Sequence, residues 1–212
     1  MFRSRSRDGG FEITGDLPGR VAGLLEGSSD HPIVLTTAGA EGDQQPIFTS
    51  RQHTSTMGFV DQGAGGWSVL DVLAHRLVDD INEETAIMPQ GNNKVSLSTF
   101  ATEAIVPGQH RTQDRQTKQI TDEPAADVHI PINRITIGDI AIAGVGADLA
   151  SKIGVAVRDA SPIKQTMLIT TTAGNVGYIL PDEMYKHYTH AVLGSKVRPG
   201  YAQEAIIKAL YK

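Results

Sequence analysis

Two carboxylates and one phenol stand at matching places in this chain, each following an apolar run and each set in a glycine-spaced turn. Asp43 lies in "TTAGAEGDQQP", Asp148 in "AGVGADL" and Tyr178 in "TTAGNVGY". Ligands of α/β proteins gather beyond the ends of strands, so these three turns are expected to converge on one site. Gly174 and Gly177 precede Tyr178 and let the backbone take conformations closed to other residues. Each residue also has a structural alternative. Tyr178 could cap the core with its hydroxyl in water, Asp148 could be the N-cap of the helix that follows it, and Asp43 could stabilise its own turn. The string "GVGADL" is not a dinucleotide fingerprint, because it lacks the third glycine and the acidic residue closing a following strand.

The elements that must position these residues can be read from periodicity. Pro18 near a helix start, with Val21, Leu24 and Leu25 at helical spacing, predicts a short helix over 17–27. "HPIVLTTAG" is an apolar run of strand length, followed by a loop of functional appearance that reaches Gly66. From Trp67 the positions Leu70, Leu73, Ala74, Leu77, Val78 and Ile81 keep the i, i+3, i+4, i+7 rhythm, which predicts a helix over 67–84. "NKVSLSTFATEAIVP" alternates and is rich in β-branched residues, so 94–106 is expected as a strand. The polar segment 108–127 reads as a mobile loop. A strand, a Gly138-Asp139 turn, the buried strand "IAIAGV" and a helix over 148–160 follow; then come the strand "TMLITTTAG", a helix start at "PDEMYKHY" and a closing amphipathic helix. Apolar strands alternating with helices, together with a hairpin-like 94–142 region, predict an α/β fold with a mixed β-sheet and flanking helices.

Composition narrows the function classes. The 212 residues carry a net charge of −5, and the only basic cluster, "RSRSR" at Arg3–Arg7, is too short to act as a nucleic-acid surface. With no cysteine, any metal must be held by His, carboxylate or phenolate. No apolar run reaches the ~18 residues of a membrane span, and the first ten residues lack the apolar core of a signal peptide. A soluble chain without an export signal is therefore expected, its compartment otherwise unknown.

The order and wording of five motifs, "ITGDLPG", "IVLTTAGAEGDQQP", "IGDIAIAGVGADLASKIG", "GNVGYILPDEMY" and "RPGYAQEAIIKAL", resemble the neutral/alkaline, non-lysosomal ceramidases and their bacterial relatives. That family consists of zinc-dependent amidases that cleave the N-acyl bond of ceramide, are often secreted or periplasmic, and hold their metal through two histidines, a glutamate and a tyrosine. The resemblance implies that Tyr178 takes the tyrosine position and Asp148 the glutamate position, as zinc ligands; Asp is one methylene shorter than Glu. It implies a catalytic place for the turn "GDQQP", where the family carries Gly-Asp/Asn-x-Ser-Pro, so that Gln45 stands at the serine position with Asp43 beside it. Gln has no nucleophilic oxygen but can orient a water or bind a carbonyl. The two family histidines fall upstream of the matched motifs, and His31 matches neither. The expectation is thus the C-terminal half of a ceramidase-type catalytic domain with an incomplete zinc site and a small-molecule or lipid-like acyl substrate. The alternative is a non-catalytic binding or scaffold domain that lost nucleophile and ligands. Oligomeric state is not legible.

Overall fold

The computed structural model describes residues 14–28, 33–45, 51–56, 58–61, 65–91, 93–114, 116–117, 119–187 and 189–212. They fall into two units, one of residues 1–36 and 46–91, the other of residues 37–45 and 92–212. His31, and Thr49 and Ser50 near the turn of Gln45, lie outside the described residues.

The first unit is a pair of helices with a small hairpin. Helix α1 (Asp16–Ser28) and helix α2 (Gly65–Ala86) form where helical periodicity predicts them. Ala74 and Val78 of α2, one turn apart, pack on Val21, with Leu17, Leu24 and Leu25 closing the seam. Arg20 Nε donates to Asp71 Oδ1 at 2.7 Å on the surface of the pair. Strands β1 (Arg51–Thr54) and β2 (Gly58–Asp61) pair antiparallel within the stretch expected to be a loop.

The second unit carries the mixed sheet. Strands β3 (Leu97–Gln113), β4 (Ile120–Ile137) and β5 (Ile140–Val145) run as an antiparallel meander. After β6 (Asp148–Leu149) and helix α3 (Ser151–Asp159) the chain returns as β7 (Gln165–Thr170), parallel to β5. The order β3-β4-β5-β7 mixes both pairings, as the sequence predicts. Beyond β7, strand β8 (Tyr178–Ile179) pairs parallel with β6. A 3₁₀ turn (Asp182–Lys186), helix α4 (His190–Gly194) and helix α5 (Ala202–Leu210) complete the unit. Its core joins one face of the sheet, through Ile130, Ile132 and Val145, to Ile153 and Val157 of α3 and Ile206 and Leu210 of α5. These side chains are almost wholly removed from water, which supplies the main drive for this layer.

Two expectations are corrected. The segment 108–127, read as a mobile loop, is the outer part of the β3–β4 ribbon: Gly108 pairs with Ala125 and Gln113 with Ile120. Its polarity hid cross-strand pairing. The Arg111 side chain, only 3% exposed, meets the Asp122 carboxylate through Nε at 2.5 Å and Nη2 at 2.6 Å. It also lies 5.1 Å from the Tyr185 ring centroid. A paired arginine of this kind can enter a sheet that a lone one could not. The second correction concerns "HPIVLTTAG". Residues 33–39 form no strand, and Ile33 and Leu35 are 72% and 87% exposed. The Val34 N–H donates to the Glu26 carboxylate at 2.8 Å, and the end of the run docks where the Thr170 backbone N–H donates to Ala38 O at 2.9 Å.

Candidate functional site

The strand "IAIAGV" ends at Val145, and the chain turns through Gly146 and Ala147 into the two-residue strand β6. The Gly146 N–H donates to Pro131 O at 2.8 Å, and a Cβ at this position would lie 2.6 Å from the Pro131 ring. The close approach thus requires glycine. The other half of the site comes from the turn after β7. Thr171 and Ala173 hold positive φ values of 55°, and Gly174 and Gly177 of 136° and 101°. Backbone of this kind in non-glycine residues costs about 1 kcal/mol or more each and gathers at functional turns. This turn sets β8 alongside β6 with Asp148 and Tyr178 as register partners. Partners in a parallel pair project to the same face, so the carboxylate and the phenol leave side by side.

The third turn closes over Asp148. The Gly42 N–H donates to Leu149 O at 2.8 Å. A Cβ on Gly42 would stand 3.0 Å from both the backbone oxygen and Oδ1 of Asp148. Only glycine lets this turn lie so near. The next residue, Asp43, accepts from the Ser151 N–H at 2.7 Å through Oδ1 and from the Ser151 hydroxyl at 2.9 Å through Oδ2. The Gln44 amide also donates to its Oδ1, at 3.0 Å.

Asp43 is therefore the cap of α3, delivered from about a hundred residues upstream. The helix's own N-cap position is Ala150, which offers no side-chain hydrogen bond. Reading Asp148 as that cap is thus corrected, since it sits two residues before Ala150, and reading Asp43 as serving only its own turn is incomplete. A carboxylate at a helix N-terminus satisfies free N–H groups and faces the positive end of the helix dipole. Partial burial pushes the Asp43 carboxyl up, but donation from the Ser151 N–H, the Gln44 amide and the Ser151 hydroxyl outweighs it and holds the group below its ordinary value of 3.8.

Asp148 has the opposite environment. Its Oδ1 is buried and has no hydrogen-bond partner. Burial, then the negative charges of Glu41 and Asp43, push its carboxyl above the ordinary 3.8. An unpartnered acceptor beside two like charges is unfavourable on its own terms. It suits a site that receives a proton or a cation.

Tyr178 is half-buried, packed with Met184, Tyr185 and Ala191 around Ala150, Leu180 and Val192. The His190 ring meets it edge-on, with centroids 5.9 Å apart. A Cβ on Gly194 would reach 3.1 Å from Tyr178 Cδ2, so the ring is seated against bare backbone. Gln45 is exposed at the end of the capping turn. Among the described residues no group of three or more His, Cys, Asp or Glu is arranged to hold a metal.

A cavity of about 430 Å³ in this unit is lined by residues including Lys152, Leu180, Tyr185, Arg198 and Tyr201. It takes in none of Asp43, Asp148 and Tyr178, so the chemistry-bearing groups meet elsewhere.

The sequence reading expected the turns of Asp43, Asp148 and Tyr178 to meet, and the Gly42–Leu149 hydrogen bond and the β6–β8 pairing join them, but it missed Ser151 and Glu41. Ser151 was hidden by the local sequence: "ADLASKIG" offers Asp148 as a cap of its own, and only the structure sets the N-cap at Ala150, which asks for a cap from elsewhere. Glu41 gave no signal, because its effect on Asp148 arises through space. Asp43→Ala is expected to destabilise the second unit by about 1–2 kcal/mol at pH 7. Because the folded-state pKa of Asp43 is depressed, its contribution is present above pH 3.8 and lost as pH falls through the folded value. Urea unfolding at pH 7 and at acid pH checks this: a difference between variant and wild type that persists undiminished in acid contradicts the ionic cap.

No protein-family profile matches the chain, and no curated protein matches it. Solved structures do. The chain is similar to a structure described as a ceramidase complexed with C2, with a TM-score of 0.61 and 11% identity, over 93% of this chain and 41% of that one. It is also similar to the neutral ceramidase from Pseudomonas aeruginosa, with a TM-score of 0.59 and 12% identity, over 93% of this chain and 39% of that one. At such identity the likeness establishes a ceramidase-like α/β fold. The chain spans about two-fifths of the length of both solved chains. Among its described residues no helix is long and apolar enough to cross a membrane.

Proposed function

We propose that this chain carries the oxygen-donor half of a zinc site in a hydrolase of the ceramidase type, acting on an amide (N-acyl) or related acyl bond. The observation that carries the reading is the pairing of Asp148 with Tyr178 on adjacent strands, with Asp148 Oδ1 buried and unpartnered. The donor set fits zinc in kind, since carboxylate and phenolate oxygens are accepted ligands, and supplies two of the four that a tetrahedral site takes. Zinc, when bound, supplies Lewis acidity that polarises an acyl oxygen.

The chain's own residues do the rest. Asp148 and Tyr178 would hold the ion. His190 and Gly194 fix the Tyr178 ring, and Gly42 walls off Asp148 Oδ1. Asp43 pins the 41–45 turn to α3, and Gln45, exposed at the end of that turn, would orient a water or a substrate carbonyl through its amide. Asp43 is thus a positioning residue. A specific observation favours a second reading, a binding domain without catalysis: the Asp43 carboxylate is engaged structurally and Gln45 offers no nucleophile.

Zinc titration of the metal-free chain by calorimetry tests the half-site. Binding weaker than about 1 µM is expected from two ligands, and it is lost in Asp148→Asn and in Tyr178→Phe. Tight one-to-one binding would overturn the two-oxygen half-site and make His31, His187 and His190 the next ligands to replace. Equal binding by wild type and both variants would remove Asp148 and Tyr178 from any metal site. Hydrolysis is tested on a short-chain ceramide with and without zinc, comparing wild type, Gln45→Ser and Tyr178→Phe. A zinc-dependent rate that Tyr178→Phe abolishes supports the hydrolase; no rate in any of the three leaves the binding-domain reading.

A further inference from the structure

Tyr178 is seated against a helix too short to hold itself. Helix α4 runs only from His190 to Gly194, and a helix of about one turn has too few internal bonds to be stable alone. Yet it meets Tyr178 at both of its ends. The His190 ring packs edge-on against the phenol at the first residue. At the last, Gly194 lies against the ring, and a Cβ on the preceding Gly177 would stand 3.0 Å from Gly194 O. The Gly194 side of this contact is bare backbone, so no side chain there can rotate to absorb a shift of α4, and close-packed groups pass such shifts on.

What fixes α4 therefore fixes the phenol. Thr189 caps its N-terminus, where Oγ1 accepts from the Val192 N–H at 3.2 Å. The other end is held from two separate elements. The Tyr185 hydroxyl, in the 3₁₀ turn, shares a hydrogen bond of 2.9 Å with Ser195 Oγ, just past α4. Arg111 Nη1, on β3, donates to Val192 O at 3.3 Å. The Arg111 guanidinium thus joins three partners: Asp122 of β4 through Nε and Nη2, the carbonyl of α4 through Nη1, and the Tyr185 ring beside it. Bracing the ribbon needs only the first of these.

We infer that Arg111 is a positioning residue for Tyr178: by holding α4 it fixes where the phenol oxygen points. Its consequence for zinc rests on the half-site proposed above, whereas its hold on the phenol does not.

Ring-labelled tyrosine NMR of the whole chain, without zinc, reads the phenol directly. The chain has five tyrosines, and the signal missing from Tyr178→Phe is that of Tyr178. Arg111→Lys keeps a charge beside Asp122 but lacks the planar fork that serves several partners at once, so it should shift and broaden the Tyr178 signal. Arg111→Met, the second variant, keeps a long side chain against Tyr185, and Asp122, 43% exposed, takes water in place of the arginine. It should move the same signal, and circular dichroism checks that both variants stay folded. Arg134→Lys is the matched control. Arg134 Nη1 also donates to a helix-end carbonyl, Leu210 O of α5, at 2.6 Å, and its guanidinium lies over the Phe100 ring, so the control loosens α5 and leaves the Tyr178 signal in place. Zinc titration of the same proteins should give an affinity about 10-fold lower for Arg111→Lys than for wild type, the usual cost of losing a group that orients a ligand.

A Tyr178 signal unmoved in both Arg111 variants, or moved equally by Arg134→Lys, overturns the inference and leaves the half-site standing. A signal that moves while zinc affinity stays at the wild-type value overturns the role of Arg111 toward the metal. A signal that moves in a chain with no zinc response removes the half-site and upholds Arg111 as the residue that holds the phenol.

Discussion

Asp148→Asn, in zinc-free buffer, makes the chain more stable at pH 7 by on the order of 1 kcal/mol, while it abolishes the zinc response described above. Most substitutions at a semi-buried position cost stability, so the sign is diagnostic. Asp148 Oδ1 is buried without a partner, and burial together with Glu41 and Asp43 raises its carboxyl pKa. The folded state then holds a proton that the unfolded state releases near pH 3.8. Between the unfolded and folded pKa values the native state binds more protons, so stability falls as pH rises through that window and stays lowered above it. Asn carries no charge and lacks this penalty. The gain from Asp148→Asn therefore appears above the window and vanishes below pH 3.8, where wild-type Asp148 is protonated in both states. Asp43 titrates with the opposite sign over the acid range, so the quantity to read is the difference between variant and wild type from paired urea titrations. A variant less stable than wild type at pH 7 would show that Asp148 is a structural residue.

Gly108→Ala is expected to cost about 3 kcal/mol or more. Gly108 follows the β-bulge at Pro107, where the β3–β4 register slips. A Cβ there would lie 2.0 Å from the backbone oxygen of Ala126. The strand cannot move away, because its other edge is bridged to Val197 and the Gln109 N–H donates to Lys196 O at 2.8 Å. The clash is backbone on both sides, so no rotamer relieves it. Gly23→Ala in α1 is the control. Nothing lies within 4 Å of its added Cβ, and helix propensity alone should stabilise it by up to about 1 kcal/mol. Urea unfolding of both variants measures the contrast, and a Gly108→Ala variant within 1 kcal/mol of wild type would refute the packing at the bulge.

What the amino-acid order determined by itself was everything with a local cause. The apolar rhythm of Leu70, Ala74 and Val78 specifies α2, because a 3.6-residue period leaves one stripe to bury. "IAIAGV" and "TMLIT" specify adjacent buried strands, and the glycines before Tyr178 announce a turn that L-residues rarely take. That the turns of Asp148 and Tyr178 meet was also legible, since each ends a buried strand and strand ends share an edge; the turn of Asp43 joins them although the run before it forms no strand. What only the tertiary structure decided was whatever depends on partners far along the chain. Residues 108–127 look unstructured until Asp122 neutralises Arg111 across the ribbon and residues 196–198 brace the bulge. The run 33–36 looks like a strand but pairs with no strand among the described residues, and its Val34 N–H goes to the Glu26 carboxylate instead. The roles within the site were settled in the same way. Nothing local tells Asp43 from Asp148, both acids in glycine turns, yet one meets the open N-terminus of α3 and is held ionised, while the other is enclosed beside like charges with an oxygen left over. A carboxylate's chemistry is set by the donors, charges and solvent within a few ångströms, and for these two the fold brings those from about a hundred residues away.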